Sequence, residues 1–486
     1  VYGSDAVAGV VNFITRTAVD HPELSARYAF ADGSDETLVQ GLGGWTLLGG
    51  DLTVAASRFH RSALSTDERD FAQAQTYGRA PWTAVTSYGQ PGSYYRPSRR
   101  AYSPDPSCGD PAFQSAYLNS ATDSFCRLDY SDFFDLAPEE TRTQVFADYR
   151  RPVGDMRLSL QAAGSATSTT ARQTPSLPIL ARSLSVPASH PDNPFGEDVL
   201  FRGRLLGAEA GASKAQFDYR TWRVAAGLDG DFSGGWRWSL ASRQHVAYDK
   251  PDVIGSALQN ALNGLGGPGC DPAAGTPGVG ACRYFNPFGS AYLGTGAPNS
   301  AALIDSLIGS AGLRGAASLT TADASTSGQA LGWDGGSVDL ALGLQYRRSA
   351  FRHDWNDLVN RGDLLTAGYS PDFDGDQMAL AAYAEARLHL GDQIEAQLAG
   401  RYEAYDGEGR FNPKAAVRWE VVDALALRAS WGQGYRAPSV YAQSGAQAAQ
   451  PSVLDRGAFV FVNTLTSGDP ELKPEKSESL TFGAQW

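Results

Sequence analysis

Polar and charged side chains occupy every second position in many segments of this 486-residue chain. Between residues 380 and 390, for example, Glu385, Arg387 and His389 alternate with alanine and leucine. An arginine guanidinium binds carboxylate and phosphate groups through directed hydrogen bonds, so arginines repeated on one face predict a site for an anionic ligand. The candidate ligand-binding residues are Arg223, Arg243, Arg347, Arg387, Arg401, Tyr405 and Arg436.

A second interpretation gives the same arginines a structural role. They would form solvated ion pairs with Glu385, Glu395 and Glu403, or they would hold an adjoining domain in place. The residue types suit both interpretations, because a guanidinium binds a carboxylate of its own protein as readily as one from outside.

No pattern of residues indicates catalysis. The chain has no G-x-S-x-G turn, H-E-x-x-H helix, phosphate-binding glycine loop or paired carboxylates, and its six histidines are scattered. We therefore predict that the protein is not an enzyme and that it has no cofactor and no bound metal.

The four cysteines form two close pairs, Cys108 with Cys126 and Cys270 with Cys282, each in a stretch rich in proline, glycine or serine. Three connectivities exist for four cysteines. Because the two pairs lie far apart in the sequence, we predict two local disulfides, which indicate an oxidising compartment. A zinc site is the alternative, although no C-x-x-C and no neighbouring histidine cluster supports it.

Fourteen segments, most of nine or more residues, alternate apolar and polar residues along their length. In the last of them, Leu480, Phe482 and Trp486 share one face. Such strands in series predict an all-β fold, an antiparallel transmembrane β-barrel, rather than a soluble sandwich. The predicted strands are 24–30, 37–48, 52–61, 140–150, 156–168, 216–231, 236–248, 317–330, 337–352, 378–390, 393–405, 411–421, 425–435 and 476–486.

The alternation also predicts which side chains face lipid and which face the lumen. In the seventh strand, the residues assigned to lipid are Trp236, Trp238, Leu240 and Val246. The residues of that strand assigned to the lumen are Arg237, Ser239, Arg243 and His245. In the tenth and eleventh strands, the assignments are lipid for Leu388 and Leu398, and lumen for Arg387 and Arg401.

The connections between these strands alternate in length. The short turns are 48–51, 151–155, 232–235 and 391–392, and the long connections are roughly 62–139, 169–215, 249–316, 353–377 and 436–475. This arrangement is typical of barrels with periplasmic turns and long extracellular loops. Helical spacing in the third long loop predicts two short helices, one containing Leu258, Ala261, Leu262 and Leu265, the other in 298–308 with Ser300 as its N-cap.

The composition suits a membrane barrel. Glycine supplies 54 of the 486 residues and aromatic residues 11%; glycine permits strand curvature, and aromatic rings form girdles at the membrane interfaces. No apolar run of about 18 residues is present, so no helical membrane span is predicted. The net charge of −13 and the lack of a long basic tract argue against nucleic acid as a partner.

Several motifs resemble those of TonB-dependent outer-membrane receptors. Residues 1–16 (VYGSDAVAGVVNFITR) resemble the closing segment of that family's plug domain. Residues 434–439 (GYRAPS) and 469–475 (DPELKPE) resemble motifs late in its barrel, and the Asn-Pro-Phe-Gly sequences at 193–196 and 286–289 resemble those of its long-loop members. The plug–barrel motif residues are Tyr2, Gly3, Ser4, Asp5, Gly9 and Asn12, which we interpret as part of a strand that ties plug to barrel.

The resemblance implies two parts, with 1–20 as the C-terminal remnant of a plug domain and 21–486 as an incomplete receptor barrel. Large outer-membrane transporters have 22 strands and a plugged lumen, so fourteen strands imply a fragment that continues at both ends. The secretory signal and the TonB-contacting segment would then lie outside this chain.

The expected function is energised uptake of a scarce solute across the outer membrane of a Gram-negative bacterium. The expected partners are outer-membrane lipid, the inner-membrane TonB complex and a small-molecule ligand. The arginines favour a ferric siderophore or a similar metal chelate, while cobalamin, haem and saccharides stay open. The alternative is a passive porin-like channel or a surface-binding barrel, which would have no globular domain before its first strand.

Overall fold

The alternating segments form one antiparallel sheet of 14 strands, whose order in the sheet is their order in the chain. The computed structural model describes residues 15–16, 19–72, 85–110, 116–117, 125–180, 184–207, 210–230, 235–405, 408–455 and 458–486. The strands are β1 (Glu23–Ala31), β2 (Ser34–Leu47), β3 (Gly50–Arg61), β4 (Glu139–Val153), β5 (Met156–Gln173), β6 (Ser213–Gly230), β7 (Gly235–Val253), β8 (Ile308–Trp333), β9 (Gly336–Trp355), β10 (Phe373–Leu390), β11 (Ile394–Tyr405), β12 (Glu408–Val422), β13 (Leu425–Arg436) and β14 (Glu475–Gln485).

All fourteen predicted strands are confirmed, although several are longer than predicted. The largest extension is in β8, which spans 26 residues because its polar, glycine- and alanine-rich ends stay paired with β7 and β9. Within the described residues, β1 pairs only with β2 and β14 only with β13, so the two edges of the sheet are not paired with each other.

The two faces of the sheet differ in chemistry. On the outward face, large apolar side chains are exposed, with Leu24 at 81%, Leu398 at 54% and Phe482 at 73%. On the inward face, Arg401 and Glu403 are buried. A sheet that exposes its apolar residues and buries its charges is matched to lipid outside and a polar lumen inside, which confirms the transmembrane β-barrel type.

Tight turns join the strands at one end of the sheet. Leu48 and Gly49, with φ of 51° and 74°, form the two-residue turn between Leu47 and Gly50, and positive φ at both positions is the turn geometry that matches strand twist. The other close connections at this end join 153 to 156, 230 to 235, 333 to 336, 390 to 394 and 422 to 425.

The opposite end carries five long connections, 62–138, 174–212, 254–307, 356–372 and 437–474, and two short ones, between 31 and 34 and between 405 and 408. Among the described residues of the long connections, five helices are present: α1 (Gly255–Leu262), α2 (Ser290–Leu293), α3 (Ala301–Leu307), α4 (Asp357–Asn360) and α5 (Val440–Ser444). None of the helices in the described ranges is long and apolar enough to cross a membrane.

Both predicted loop helices are present, as α1 and α3. The side chain of Ser300 caps α3 by accepting a hydrogen bond from the Leu303 amide, as its position in the sequence predicts. The prediction for Leu265 is wrong, because α1 ends at Leu262. The Leu265 amide donates instead to the carbonyl of Asn260, in the turn that follows the helix.

Short strands and 3₁₀ turns complete the connections. One four-stranded sheet joins Leu184–Val186, Val199–Arg202, Ser93–Arg96 and Ala101–Pro104. Smaller sheets contain Leu64–Ser65 with Asp135–Ala137, Val85–Thr86 with Arg127–Asp129 and Ala116–Tyr117, Ala446–Ala449 with Thr464–Ser467, and Ser452–Asp455 with Ala458–Phe461. The 3₁₀ turns are Thr66–Glu68, Asp70–Ala72 and Ser131–Phe133.

Four of the long connections, 62–138, 174–212, 254–307 and 356–372, share one hydrophobic core, and we call them together the loop cap. Their most deeply buried side chains form a single cluster, joined by Val253 at the end of β7. The cluster contains Tyr94, Ile179, Leu184, Val186, Val199, Phe201, Leu205, Leu258, Ala261, Leu262, Phe285, Phe288, Leu303, Leu307 and Leu365. These four long connections therefore fold together as one packed unit at that end of the sheet.

Candidate functional site

A buried ionic network lies on the inward face of β8–β11. Arg401 donates to Oε2 of Glu403 from Nε at 2.9 Å and from a terminal nitrogen at 2.8 Å. Its guanidinium also donates to Gln345 at 2.6 Å, and Gln345 donates to Asp323 at 2.5 Å. Arg347 approaches the other oxygen of Glu403 at 3.4 Å. Glu403 therefore neutralises two of the predicted ligand-binding arginines.

A second pair of contacts lies nearer the tight-turn end of β10 and β11. Arg387 contacts Glu395 at 3.2 Å, and Gln397 donates a short hydrogen bond to Glu385. Both arginines of these two strands thus contact the carboxylates that the alternative interpretation names. Arg347, Arg387 and Arg401 are thus each paired with a glutamate, and their role in ligand binding stays a prediction.

The GYRAPS motif, residues 434–439, contacts the inward face of the sheet between the network and the long-loop end. The Pro438 carbonyl accepts hydrogen bonds from Gln377 at 2.8 Å and from the hydroxyl of Tyr405 at 3.3 Å. Helix α5 begins directly after it, with Ser439 as N-cap, and packs on Gly375, where an added Cβ would lie 2.6 Å from the Ser444 hydroxyl. Tyr405 is buried and anchors this segment to the wall.

Arg223 lies in a different setting, on the inward face of β6. Its guanidinium donates to Gln161 at 3.1 Å, and it has no acidic partner among the residues that the structure describes. It lines a cavity of about 600 Å³ on the inward face of β1–β6, together with Arg16, Glu23 and uncharged side chains. The uncharged polar lining residues include Ser25, Gln40, Ser57, Gln144, Ser165 and Thr221.

The lumen assignment of Arg243 stays a prediction, because its side chain lies outside the part of the chain that the structure describes. Farther along β7, the register shifts between Ser239 and Ser242 against β8, and a bulge of this kind inverts the facing of the residues beyond it. His245 pairs with Arg220, two positions from the exposed outward side chain of Trp222. The assignments of His245 to the lumen and of Val246 to lipid are therefore wrong.

The remaining predicted site residues lie apart from the network. Arg436 is exposed at the end of β13 and approaches Glu475 of β14 at 3.9 Å. The six plug–barrel motif residues lie outside the described residues. Shortly after them in the sequence, Arg16 pairs with Glu23 at 2.6 Å. In the described ranges, no group of three or more histidine, cysteine, aspartate or glutamate side chains is arranged to hold a metal ion.

The two Asn-Pro-Phe-Gly sequences have matching local structures in the loop cap. In each, the asparagine side chain accepts a hydrogen bond from the phenylalanine amide, at 2.9 Å for Asn193 and 3.0 Å for Asn286. The phenylalanine rings, Phe195 and Phe288, then meet at Tyr94, with ring centroids 5.3 and 4.7 Å away. The two sequences thus position one aromatic side chain each for the same core.

Tyr94 also joins separate loops through hydrogen bonds. Its hydroxyl donates to the carbonyl of Pro287 at 2.9 Å, across 193 positions of sequence. Buried Asp105 lies beside it and accepts a hydrogen bond from the Gly289 amide at 3.2 Å. Burial raises the pKa of the Asp105 carboxyl, although hydrogen bonds from Ser107 and Gly289 oppose this shift.

Ion pairs and hydrogen bonds of charged side chains also join separate connections of the loop cap. Glu197 accepts hydrogen bonds from Ser98 and from Arg96, the latter at 2.8 Å, and these bonds lower its pKa to about 2. Arg204 is buried and donates to the Tyr88 carbonyl at 2.7 Å and to Thr174 at 2.8 Å. Burial lowers the pKa of Arg204 to about 10.

His190 connects two loops of the cap in its neutral form. Its Nδ1 accepts a hydrogen bond from the Asp192 amide at 3.1 Å, so Nε2 carries the proton and donates to the Phe285 carbonyl at 3.0 Å. Burial lowers the pKa of the imidazole from its ordinary value of 6.5. Its ring packs edge-on against Tyr284 and Phe288.

Two disulfides close segments within the cap. Cys108 is joined to Cys126, with Cα atoms 5.8 Å apart, and Cys270 to Cys282, with Cα atoms 4.7 Å apart. These are the two local pairs, and the described residues contain no free cysteine. Each bridge therefore constrains one loop and does not join the two loops.

Sequence reasoning missed Gln345, Gln377 and Tyr94, which join separate elements of the wall and the cap. Gln345 occupies a polar position of a predicted strand, so the alternation assigns its facing but not its partner. Gln377 falls at the end of the predicted connection 353–377, one residue before the tenth predicted strand, so the alternation assigns it nothing. Tyr94 lies in a loop with no periodic pattern, and its only signal is an aromatic residue in a proline- and glycine-rich stretch.

Residues 178–486 match the sequence profile of a family described as TonB dependent receptor-like, beta-barrel. Among solved structures, a mutant of the ferric enterobactin receptor PfeA of Pseudomonas aeruginosa, in complex with enterobactin, has a TM-score of 0.52 and 13% identity, and the match covers 99% of this chain and 54% of that receptor. The siderophore receptor PirA of Acinetobacter baumannii has a TM-score of 0.52 and 12% identity, with coverage of 100% and 53%. The chain spans about half the length of these structures. No curated protein matches its sequence.

Proposed function

Because this chain belongs to the TonB-dependent receptor family, we propose that it is the greater part of an outer-membrane barrel that imports a scarce solute, energised by the inner-membrane TonB complex. Members of this family are transporters, which agrees with the prediction that the chain is not an enzyme. The proposal rests on one combination of features. The sheet is apolar on its outward face and polar on its inward face, and a folded loop cap lies at one end of it. A passive pore has less need of an ordered cover of this size.

We further propose that the solute is an anionic metal chelate, such as a ferric siderophore. The inward face offers one position where an anion could bind. Arg223 lines a cavity of about 600 Å³ there and has no acidic partner in the described part of the chain. Arg347, Arg387 and Arg401 are held by Glu403 and Glu395, so they would contribute only if the ligand displaced a carboxylate.

The ligand class is tested in cells that express the intact receptor. Uptake of an ⁵⁵Fe-loaded tris-catecholate chelate, which is anionic, is compared with that of a neutral ferric trihydroxamate. We expect faster uptake of the anionic chelate and a KM raised about tenfold by Arg223→Gln, since a charged hydrogen bond contributes about 1.5–3 kcal/mol. Arg418→Gln, on the inward face of β12 beside Glu420, is the matched control and should leave KM unchanged.

Preference for the neutral chelate, or an equal effect of the two substitutions, would contradict the anionic assignment. Neither result would bear on energised transport itself, which is measured separately through its dependence on the proton gradient.

A further inference from the structure

Two arginines without a carboxylate partner among the described residues lie close together inside the loop cap. Both contact Tyr88. The guanidinium carbon of Arg202 is 3.9 Å from the centroid of the Tyr88 ring, and Nε of Arg204 donates to the Tyr88 carbonyl at 2.7 Å. In the described part of the chain, every hydrogen-bond acceptor of the two guanidinium groups is a neutral carbonyl or hydroxyl oxygen. The described residues therefore place two positive charges here without a negative charge to neutralise them.

Arg204 is the more deeply buried of the two arginines, with 3% of its surface exposed. A guanidinium has five N–H donors. Three of them are used, by the Tyr88 carbonyl, the Thr174 hydroxyl and the Ser176 carbonyl, and the second terminal nitrogen has no acceptor among the described residues. Neutral oxygens accept hydrogen bonds but leave the charge uncompensated, which is costly in a buried position. Arg204 stays charged at pH 7, because burial lowers its pKa only to about 10.

Other buried donors of the same region also lack acceptors. Gln90 is 3% exposed and has no hydrogen-bond partner for either amide atom within the described ranges. The residue before it, Gly89, accepts a hydrogen bond from the Arg204 amide at 3.1 Å, so the segment of Gln90 lies against Arg204. Nε of Arg202 is likewise buried without a partner in the part of the chain that the structure describes. Buried polar groups are normally hydrogen-bonded, so this cluster of donors points to an acceptor that the described residues do not supply.

We propose that a small inorganic anion such as chloride binds at Arg204 inside the loop cap, and we call this position the Arg204 site. An anion neutralises the guanidinium and accepts several N–H bonds at once. The site is enclosed, because Ile179 and Leu205 beside it belong to the hydrophobic core of the cap, and the Ile179 amide donates to the Gly203 carbonyl at 3.0 Å. An enclosed position of this kind suits an ion of one or a few atoms and not a metal chelate.

The Arg204 site joins two of the four connections of the cap. Tyr88 belongs to 62–138, while Arg204 and Thr174 belong to 174–212. An anion bound between them is released when the cap opens locally, so it stabilises the closed cap in proportion to its concentration relative to its dissociation constant. This inference does not depend on the proposed transport function, because it concerns the cap alone.

The test measures hydrogen exchange of the cap amides in the intact receptor, in sodium chloride and in sodium gluconate of equal ionic strength, so that screening is matched. The variant is Arg204→Gln. The matched control is Arg283→Gln, because Arg283 also donates to cap carbonyls, those of Gly280 and Cys282, but is exposed. Crystals of the unaltered receptor grown in bromide give a second measurement, since the anomalous signal of bromide locates the ion whether or not the variant folds.

We expect chloride to slow exchange near Arg204 saturably, by about tenfold at a concentration ten times its dissociation constant. The control should keep this effect, Arg204→Gln should lose it, and bromide should lie within hydrogen-bond distance of the Arg204 guanidinium. Equal exchange in chloride and gluconate would overturn the proposal, and a bromide peak at Arg204 would then mean binding at crystal concentration only. The same chloride effect in Arg204→Gln and in the control would also overturn it, as would bromide that does not contact Arg204.

Discussion

The wall of the barrel and the loop cap sort their side chains in opposite ways. In the wall, Leu398 is exposed while its strand neighbours Arg401 and Glu403 are buried. In the cap, Tyr94 and Phe288 are buried, while charged residues such as Asp271 and Arg283 are exposed. Apolar side chains are therefore exposed in the wall and buried in the cap, and charged side chains show the opposite distribution.

The difference follows from the solvent that each region meets. Lipid accepts apolar side chains, and it forces the polar groups of the wall to find partners inside. Water drives the apolar side chains of the cap together. The cap is also small, with a core drawn from four separate connections, and small units of this kind commonly carry disulfides as added constraints.

The largest expected effect comes from removing the aromatic centre of the cap. Tyr94→Ala should cost the cap about 3–5 kcal/mol, because it deletes a buried ring from a packed core. Hydrogen exchange in the loops should rise, while the strands keep their protection. The matched control is Tyr369→Ala, at a position in the same cap where the side chain is 49% exposed. Equal loss of protection in the strands would show that cap and wall are not separate units.

A charge placed on the lipid face tests the wall. Leu398→Arg should lower the free energy of unfolding from lipid vesicles by about 2–4 kcal/mol if position 398 lies near mid-membrane. The control is Gln397→Arg, at the adjacent inward position beside Glu385. Equal tolerance of arginine at the two positions would contradict the outward and inward assignment of β11.

Removing the disulfides tests whether the cap needs them. By the chain-entropy model, each bridge contributes about 3 kcal/mol to local order. Replacement of Cys108 and Cys126 by serine, or of Cys270 and Cys282, should speed proteolysis of that loop alone and leave the barrel's heat resistance unchanged. A cross-link between the two loops, found by mass mapping of protein from the membrane, would refute the local pairing.

The smallest effect is a pH dependence of the cap through His190. Burial lowers the pKa of His190 below 6.5, so the folded cap binds fewer protons than the unfolded loops in the interval between the two pKa values. Cap stability should therefore be constant above pH 7 and should fall as the pH drops below about 6.5 toward the folded pKa. Hydrogen exchange near Phe285 measures this, and His190→Gln should flatten the pH profile.

The wall could be predicted from the sequence because its signal is local. Alternation with a period of two, as in 380–390, assigns both the strand and the facing of each residue. The method failed at His245, because the register shift between Ser239 and Ser242 leaves no mark in the alternation. It also left the pairing of Arg401 with Glu403 undecided, since facing does not specify a partner.

The cap could not be predicted because its contacts join distant residues. Tyr94 donates to Pro287 across 193 positions, and no periodic pattern links the two loops. Only the features with local signals were foreseen there, namely helices α1 and α3 and the close cysteine pairs. The same holds for the candidate site. Its residues could be identified from their types in the sequence, but their hydrogen-bond and ion-pair partners are known only from the folded structure.

Dependence of uptake on the proton gradient tests the central claim most directly. Cells expressing the intact receptor are supplied with the ⁵⁵Fe-loaded tris-catecholate chelate, with and without a protonophore, and the receptor is also examined in planar lipid bilayers without TonB. The account predicts saturable uptake that stops when the gradient is collapsed, and no steady ion conductance in the bilayer. Uptake that continues without a gradient, together with steady conductance, would contradict it and would identify the protein as a passive channel.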